Sequence, residues 1–219
     1  MNLSTKHLPF RSAAIAAMAI VATLGCNKKA DNTSNYTSAI NTYYSAHPAC
    51  LFDSPKQFPA QADTSGSGKT SQYDALVDQG LLTRTTAEKK VFIVASKQVN
   101  NYDLSDKGRS AWTADPQQPG FGNFCYGHRK VSSIDSATPA DSNPGATTQV
   151  DYHYTIDSVP SWAKAEETQN TFPQLRTDLG TPQAAQATLT NTSNGWQLTS
   201  APDLSRRGPA TSSDGQIVK

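Results

Sequence analysis

Residues 147–159, TTQVDYHYTIDSV, alternate between apolar and polar side chains, and this alternation constrains the fold more than any other feature of the sequence. Val150, Tyr152, Tyr154 and Ile156 fall on one face of an extended chain, because successive side chains of a strand point to opposite faces. A strand with one apolar face is typical of an antiparallel sheet that is buried on one side. The segment therefore predicts a half-buried antiparallel strand.

The sequence on both sides of this strand indicates a meander. Residues 124–137, FCYGHRKVSSIDSA, form a second β-rich segment, and the turn-rich TPADSNPGA separates the two. Residues 160–180 indicate one or two short helices. Residues 184–200 then predict a final hairpin with Asn194 and Gly195 in its turn. We expect about four antiparallel strands in this half of the chain.

Helical spacing dominates the earlier half. In residues 36–46 apolar side chains recur at the interval of a helix, Thr37 or Ser38 can cap its start, and Pro48 ends it. Residues 73–79 predict a second helix with Gly80 after its last turn.

Two short β-rich runs follow, VFIVAS and YDLS, and Ser105 can cap a further helix over SDKGRSAW. The predicted fold class is α+β, with N-terminal helices and a small hairpin first and an antiparallel β-meander later.

The first 25 residues have the organisation of a secretory signal peptide. Lys6 and Arg11 make the beginning positive, no acidic residue precedes Cys26, and residues 13–24 form an apolar run broken only by Thr23. The run is too short to cross a bilayer as a helix, which needs about 20 residues. We therefore expect the chain to be secreted and this segment to be removed.

The end of the run, Thr23-Leu24-Gly25-Cys26, resembles the lipobox of bacterial lipoproteins. The resemblance implies that Cys26 receives a diacylglyceryl group, that the chain is cut before it, and that the new amine is acylated. Thr23 stands where the family usually has Leu, so ordinary signal-peptidase cleavage after Gly25 is the alternative. Asn27 follows the cysteine, and by the same resemblance this favours the outer membrane over the inner one.

These observations divide the chain into segments. The predicted segments are a signal peptide over 1–25, a lipidated N-terminus and tether over 26–35, a single α+β domain over 36–199 and a disordered tail over 200–219. Within the domain, the helical part is 36–112 and the β-rich part is 121–199. The polar residues 61–72 are predicted to be a flexible linker.

With Cys26 lipidated, Cys50 and Cys125 remain, and an oxidising compartment allows them one pairing. We therefore predict a Cys50–Cys125 disulfide. The alternative is two unpaired buried cysteines, which behave as small apolar side chains.

Residues 73–112 resemble the end of a winged-helix regulator of the MarR or PadR type. Gly80-Leu81-Leu82 match the turn after the recognition helix, and residues 104–109, LSDKGR, match the segment that follows the wing. The resemblance implies a helix–hairpin–helix arrangement. The predicted helix, however, carries Asp74 and Asp78, which phosphates repel.

Charge also argues against nucleic acid as a partner. The chain has 19 Lys and Arg residues and 18 acidic ones, and loss of Lys6 and Arg11 with the signal peptide leaves a formal charge of −1. Nucleic-acid-binding domains usually carry a basic face. We therefore expect no nucleic-acid partner.

The segment FCYGHRK, 124–130, is the densest group of informative side chains. Tyr126, His128 and Arg129 are the candidate ligand-binding residues, for an anion or a peptide, and ordinary surface side chains beside a bridged strand are the alternative. The sequence offers no catalytic motif and no spaced set of metal ligands. We accordingly predict no catalytic residue, no metal and no cofactor.

The expected function is that of a lipid-anchored, periplasm-facing accessory or binding protein of the cell envelope. Its partners would be the membrane, through the N-terminal lipid, and an envelope protein or polymer. The order of these motifs is similar to that of uncharacterised bacterial lipoproteins, which implies no activity. A small secreted envelope hydrolase is the second hypothesis, and a winged-helix DNA-binding regulator is a distant third.

Overall fold

The computed structural model describes residues 29–205, except residues 66, 67, 69, 93 and 94, and it describes only the backbone of residues 91, 92 and 95. The predicted signal peptide and Cys26 therefore lie outside the described residues. The helices are α1 Thr33–Ala46, α2 Ser71–Asp78, α3 Asp106–Ala111, α4 Ser161–Lys164, α5 Glu166–Thr171 and α6 Pro173–Asp178. The strands are β1 Ala49–Cys50, β2 Lys56–Gln57, β3 Ala60–Asp63, β4 Leu82–Phe92, β5 Ala95–Leu104, β6 Trp112–Ala114, β7 Phe121–Ala137, β8 Thr147–Asp157, β9 Gln183–Thr192 and β10 Gly195–Leu198.

The main sheet has the strand order β1-β7-β8-β9-β10, and its pairings are antiparallel. Strands β2 and β6 pair with the first residues of β7. Strands β7 to β10 lie side by side in chain order, with α4, α5 and α6 inserted between β8 and β9. This order confirms the predicted meander, and the helices and antiparallel sheet together confirm the α+β class.

The apolar face of β8 is buried, as the alternation of its side chains predicts. Val150, Tyr152 and Tyr154 are completely buried, and Ile156 is half buried. Helix α1 covers this face of the sheet with its own buried side chains, which are Tyr36, Ile40 and Tyr44. One hydrophobic core thus lies between α1 and strands β7 to β10.

Helix α1 begins earlier in the chain than predicted, after Asn32 instead of after Thr37 or Ser38. Asn32 has extended backbone angles, and its side chain accepts a hydrogen bond of 2.9 Å from the backbone N–H of Asn35. Asparagine is as good an N-cap as serine or threonine, so the prediction that Thr37 or Ser38 caps the helix is wrong. The helix ends at Ala46, as the nearby proline indicates.

Helix α2 ends in a Schellman motif, as the glycine after it predicts. Gly80 has a φ of 69°, its N–H donates to the carbonyl of Val77, and the N–H of Leu81 donates to the carbonyl of Leu76, both over 2.8 Å. Leu76 and Leu81 are buried in a second core, formed with the first part of β7 and with α4 and α6.

The hairpin after α2 is longer than predicted, and the prediction of VFIVAS, 91–96, as one strand is wrong, because this run contains the end of β4 and the start of β5. Strands β4 and β5 pair from Leu82↔Leu104 to Phe92↔Ala95, and β3 pairs with the outer edge of β5. The prediction of a flexible linker over 61–72 is wrong for the residues of β3, because that strand has backbone partners on β5. The ammonium group of Lys97 also lies 2.5 Å from the carboxylate of Asp63.

The two ends of the domain extend further than predicted. Helix α1 starts within the predicted tether, 26–35. At the other end, Asp203 and Gln186 of β9 exchange two backbone hydrogen bonds of 2.8 and 3.1 Å, so the predicted disordered tail is wrong for this residue. Residues 206–219 of that tail lie outside the described residues.

Candidate functional site

A disulfide joins Cys50 of β1 to Cys125 of β7, and it confirms the predicted pairing. The two residues stand directly opposite each other in the antiparallel ladder. The bridge closes a sequence separation of 75 residues, and this interval contains α2 and the β4–β5 hairpin. It therefore ties the segment after α1 to the first half of the longest strand.

Strand β7 contains a bulge immediately after the bridged cysteine. Cys50 pairs with Cys125 and Ala49 with Gly127, which leaves Tyr126 as an extra residue on β7. A bulge of this kind changes which later side chains point to a given face of the sheet. Tyr126 and Arg129, at an odd spacing, consequently line the same cleft.

Gly127 makes the bulge possible. Its φ is 143°, a region that favours glycine, and a Cβ built on it would lie 2.3 Å from the carbonyl oxygen of Asp157 on β8. Real side chains do not tolerate that distance from backbone. The glycine therefore allows β7 and β8 to approach each other beside the cleft.

The side chains of Tyr126, Arg129 and Asp178 meet in what we call the Arg129 cluster. The Tyr126 hydroxyl donates to Oδ2 of Asp178 over 2.6 Å, and Nη2 of Arg129 lies 3.6 Å from the same oxygen. The guanidinium carbon of Arg129 is 5.9 Å from the ring centroid of Tyr44 and 5.8 Å from that of Tyr154. The cluster thus joins α1, β7, β8 and α6.

The charges of this cluster are well buried. The side chain of Arg129 is 12% exposed and that of Asp178 is 1% exposed. Burial lowers the pKa of Arg129, but the phenolic oxygens of Tyr154 and Tyr126 and the carboxylate of Asp178 raise it by more, so it stands above its ordinary value. The guanidinium group therefore remains charged at any physiological pH.

Two phenols near the cluster, those of Tyr44 and Tyr152, remain neutral because burial raises the pKa of each. The hydroxyls of Tyr44 and Tyr152 lie 2.6 Å apart in the core. Burial raises the pKa of Tyr44 to about 12, although the hydrogen bond with Tyr152 lowers it. Arg129 consequently packs against the uncharged ring of Tyr44, and Asp178 is an acidic side chain beside it.

A polar cleft of about 510 Å³ opens over the Arg129 cluster. Beyond the three residues of the cluster, its polar lining side chains are Asp53, Ser54, Lys56, Gln72 and Gln174. The amide of Gln174 also donates to the carbonyl oxygen of Leu51 over 2.9 Å, which ties α6 to the segment after β1. Two carboxylates and two cations line the cleft, so its formal charge is balanced.

The structure brings together two of the three predicted ligand-binding residues. Tyr126 and Arg129 line this cleft, whereas His128 lines a different cavity near Pro160 and Trp162. His128 Nδ1 lies 3.2 Å from the carbonyl oxygen of Tyr44, in the last turn of α1. Because of the bulge at Tyr126, His128 faces away from the cleft that Tyr126 and Arg129 line.

Neither His47 nor His153 lines the cleft. His153 pairs with Asp135 of β7 at 2.7 Å, and its strand neighbour Asp151 accepts hydrogen bonds from Ser136 and Gln186. Within the described part of the chain, no three His, Cys, Asp or Glu side chains form a group that could hold a metal ion. Among the same residues, no helix is both long and apolar enough to span a membrane.

Comparisons of the chain with protein-family models, with curated proteins and with solved structures returned no significant match. We therefore infer function from the residues of the cleft and from the N-terminal sequence.

Proposed function

We propose that this protein is a lipid-anchored, periplasm-facing binding protein of the bacterial cell envelope, held in the outer membrane through Cys26. Two features support the location. The apolar run near the N-terminus ends in Leu24-Gly25-Cys26. The Cys50–Cys125 bridge is of a kind that persists in oxidising compartments. Several acyl chains on one cysteine would provide stable anchoring, which a single chain does not.

The polar cleft over the Arg129 cluster carries the proposal of a binding role. Within the cluster, the carboxylate of Asp178 contacts both Tyr126 and Arg129. These contacts hold the side chains in place, so the cleft presents a pre-organised polar surface at one edge of the core. Ser54, Gln72 and Gln174 add a hydroxyl and two amides, which both donate and accept hydrogen bonds. Ligand sites in proteins are commonly concave, with a few polar groups in set positions.

The balance of charge in the cleft indicates the class of ligand. Asp53 and Asp178 offset Lys56 and Arg129, so a strongly charged ligand would leave one pair of these groups poorly matched. A saccharide segment of an envelope polymer offers a dense array of donors and acceptors without net charge. We infer that such a segment is the ligand.

Titration of the full-length protein with soluble glycan fragments released from the host cell wall tests this role. Gln72→Ala removes an amide from the cleft, and we expect affinity to fall about tenfold, which corresponds to about 1.4 kcal/mol. Gln118→Ala, an exposed position outside the cleft, is the matched control and should leave affinity unchanged. Absence of binding, or equal effects of both variants, would overturn the proposal.

A hydrolase acting on the same polymer is the second candidate, and one observation favours it. Asp53 and Asp178 line the same cleft, and glycoside hydrolases use two carboxyl groups that flank the bond to be cleaved. Asp178, however, already accepts a hydrogen bond from Tyr126 and lies beside Arg129. Release of new reducing ends during the titration would favour the hydrolase, and intact fragments would favour binding.

For the helix–hairpin–helix segment, which resembles a winged helix in sequence, we propose a packing role without DNA binding. Arg84 at the base of β4 lies 2.7 Å from Asp74 of α2, and the Tyr102 hydroxyl donates to the same carboxylate over 2.8 Å. Asp78 adds a second negative charge to this helix. Sequence-selective DNA binding at physiological salt in a mobility assay would contradict this proposal.

A further inference from the structure

The chain is bound to the main sheet from its first described residue. The side-chain amide of Asn191 donates to the carbonyl oxygen of Lys29 over 3.2 Å. The indole Nε1 of Trp196 donates to the carbonyl oxygen of Ala30 over 3.1 Å. Both donors belong to the β9–β10 hairpin, so the backbone of residues 29 and 30 is held against the sheet before α1 begins.

These contacts define one end of the sheet, which we call the Asn191 end. It consists of the β7–β8 connection 138–146, the β9–β10 turn 193–194 and residues 29–32 ahead of α1. The backbone of Asn191 exchanges hydrogen bonds of 2.7 and 2.8 Å with Gly145 and Ala146. The carboxylate of Asp31 accepts one of 3.2 Å from the N–H of Ala140. The three pieces therefore form one connected surface.

The Asn191 end is exposed, and its side chains are small or polar. Residues 141–145 and the turn 193–194 are all exposed. The charged residues of this end are Lys29, Asp31 and Asp141, and its apolar side chains are alanines and prolines. A surface of this kind has nothing large to insert into hydrocarbon, but it can rest against a layer of polar headgroups.

The short distance along the chain from Cys26 to the Asn191 end decides what this surface faces. Three residue steps separate Cys26 from Lys29, and a fully extended chain spans about 3.3–3.6 Å per residue, hence about 10 Å in all. We propose that the Asn191 end rests on the phospholipid headgroup layer of the membrane that anchors Cys26. This inference depends on the proposed lipidation of Cys26.

This orientation directs the cleft away from the bilayer. Strand β7 runs from Phe121 to Ala137, and Ala137 leads directly into the Asn191 end. The part of β7 from His128 to Ala137 pairs with Asp157 to Val150 of β8, which is seven residue steps, or about 24 Å at about 3.4 Å per residue, and Tyr126 lies beyond the far end of this stretch. The candidate ligand site therefore opens toward the periplasm, where a polymer can reach it.

Site-specific fluorescence quenching in liposomes tests the orientation. The lipidated full-length protein would carry one added cysteine, at Asn194→Cys in the Asn191 end or at Gln118→Cys in the exposed turn before β7, labelled with a small fluorophore. Liposomes would contain phosphatidylethanolamine and phosphatidylglycerol with a headgroup nitroxide lipid as quencher. We expect at least threefold stronger quenching at position 194 than at position 118.

A longer tether provides the control within the same protein. Twelve Gly and Ser residues inserted between Lys28 and Lys29 make a flexible segment with a span of about 20 Å, and quenching at position 194 should then fall. Equal quenching at both positions, stronger quenching at 118, or no effect of the insertion would overturn the orientation. Failure of the protein to bind liposomes at all would instead contradict the lipidation, so the two failures are distinguishable.

Discussion

Tyr126 and Arg129 stand three residues apart on β7, yet both side chains reach the carboxylate of Asp178, at 2.6 and 3.6 Å. An unbroken strand would place them on opposite faces of the sheet. The bulge at Tyr126 brings them to the same face, and Gly127 permits the bulge because it has no Cβ to clash with the backbone of β8. The candidate site thus depends on one irregularity of the backbone.

Removal of one partner of the Arg129–Asp178 pair should strongly destabilise the protein. Asp178→Ala or Arg129→Met removes the opposite charge from beside a buried one, and we expect the free energy of unfolding to fall by about 3–5 kcal/mol in each. The double variant should lose less than the sum of the two, because it removes both charges. Urea unfolding followed by fluorescence measures all three.

Arg176→Met is the matched control for this pair, since Arg176 is an exposed arginine on the same helix as Asp178. Its effect should stay within about 0.5 kcal/mol. Single variants of the buried pair that behave like this control would contradict the structural role of the Arg129 cluster.

Several elements of the fold could be predicted because their signals are local. The alternation in β8 gives its buried face, the glycine after α2 gives the helix end, and Ser105 caps α3 by accepting from the N–H of Gly108. The disulfide could also be predicted, since removal of Cys26 from the count leaves one pairing. Each of these inferences requires only a short stretch of sequence or a count.

The candidate site depends on contacts between distant segments, and these have no local signal. Asp178 lies 52 residues after Tyr126, and its helix shows no feature that indicates a buried acidic residue. The bulge depends on how β1 pairs with β7, which no local sequence pattern indicates. The sequence alone therefore led to the grouping of His128 with Tyr126 and Arg129. Strand β3 was missed for the same reason, because its partner on β5 follows α2 and the whole of β4.

The disulfide should stabilise the protein as a single bond. Cys50→Ala, Cys125→Ala and the double variant should each lower the free energy of unfolding by about 2–4 kcal/mol, because the bridge restricts the unfolded chain. The two single effects should not add, since either substitution removes the same bond. Denaturant unfolding of the three variants gives the comparison.

Thiol labelling provides an independent check on the bridge. Alkylation of the denatured, unreduced protein should modify neither Cys50 nor Cys125, and prior reduction should expose both. Full labelling of both thiols without a reductant would contradict the bridge.

Glu167 of α5 and Asp78 of α2 should make stability depend on pH. A hydrogen bond between the two carboxyl groups raises the pKa of Glu167 above its ordinary value of 4.5. A carboxyl group with a raised pKa in the folded protein stabilises the fold while it is protonated, and that contribution is lost as pH rises through the folded-state pKa. Glu167→Gln should therefore be more stable than the parent protein at pH 7.

The advantage of Glu167→Gln should disappear as pH falls below about 4.5, because the parent protein is then protonated at this position. Glu166→Gln is the matched control, since it removes a neighbouring negative charge from the first turn of the same helix. Thermal unfolding of the three proteins between pH 3.5 and 7.5, an interval of about 4 pH units around the ordinary pKa, measures the difference. A pH-independent gap between the two variants would contradict the account.

Mass spectrometry of the N-terminus is the most direct test of the proposed lipid anchor. In protein isolated from the membrane fraction, we expect Cys26 to be the first residue and to carry a diacylglyceryl group and an acylated amine. Cys26→Ser should release the protein from membranes. An unmodified N-terminus on protein found in the soluble periplasm would contradict the account.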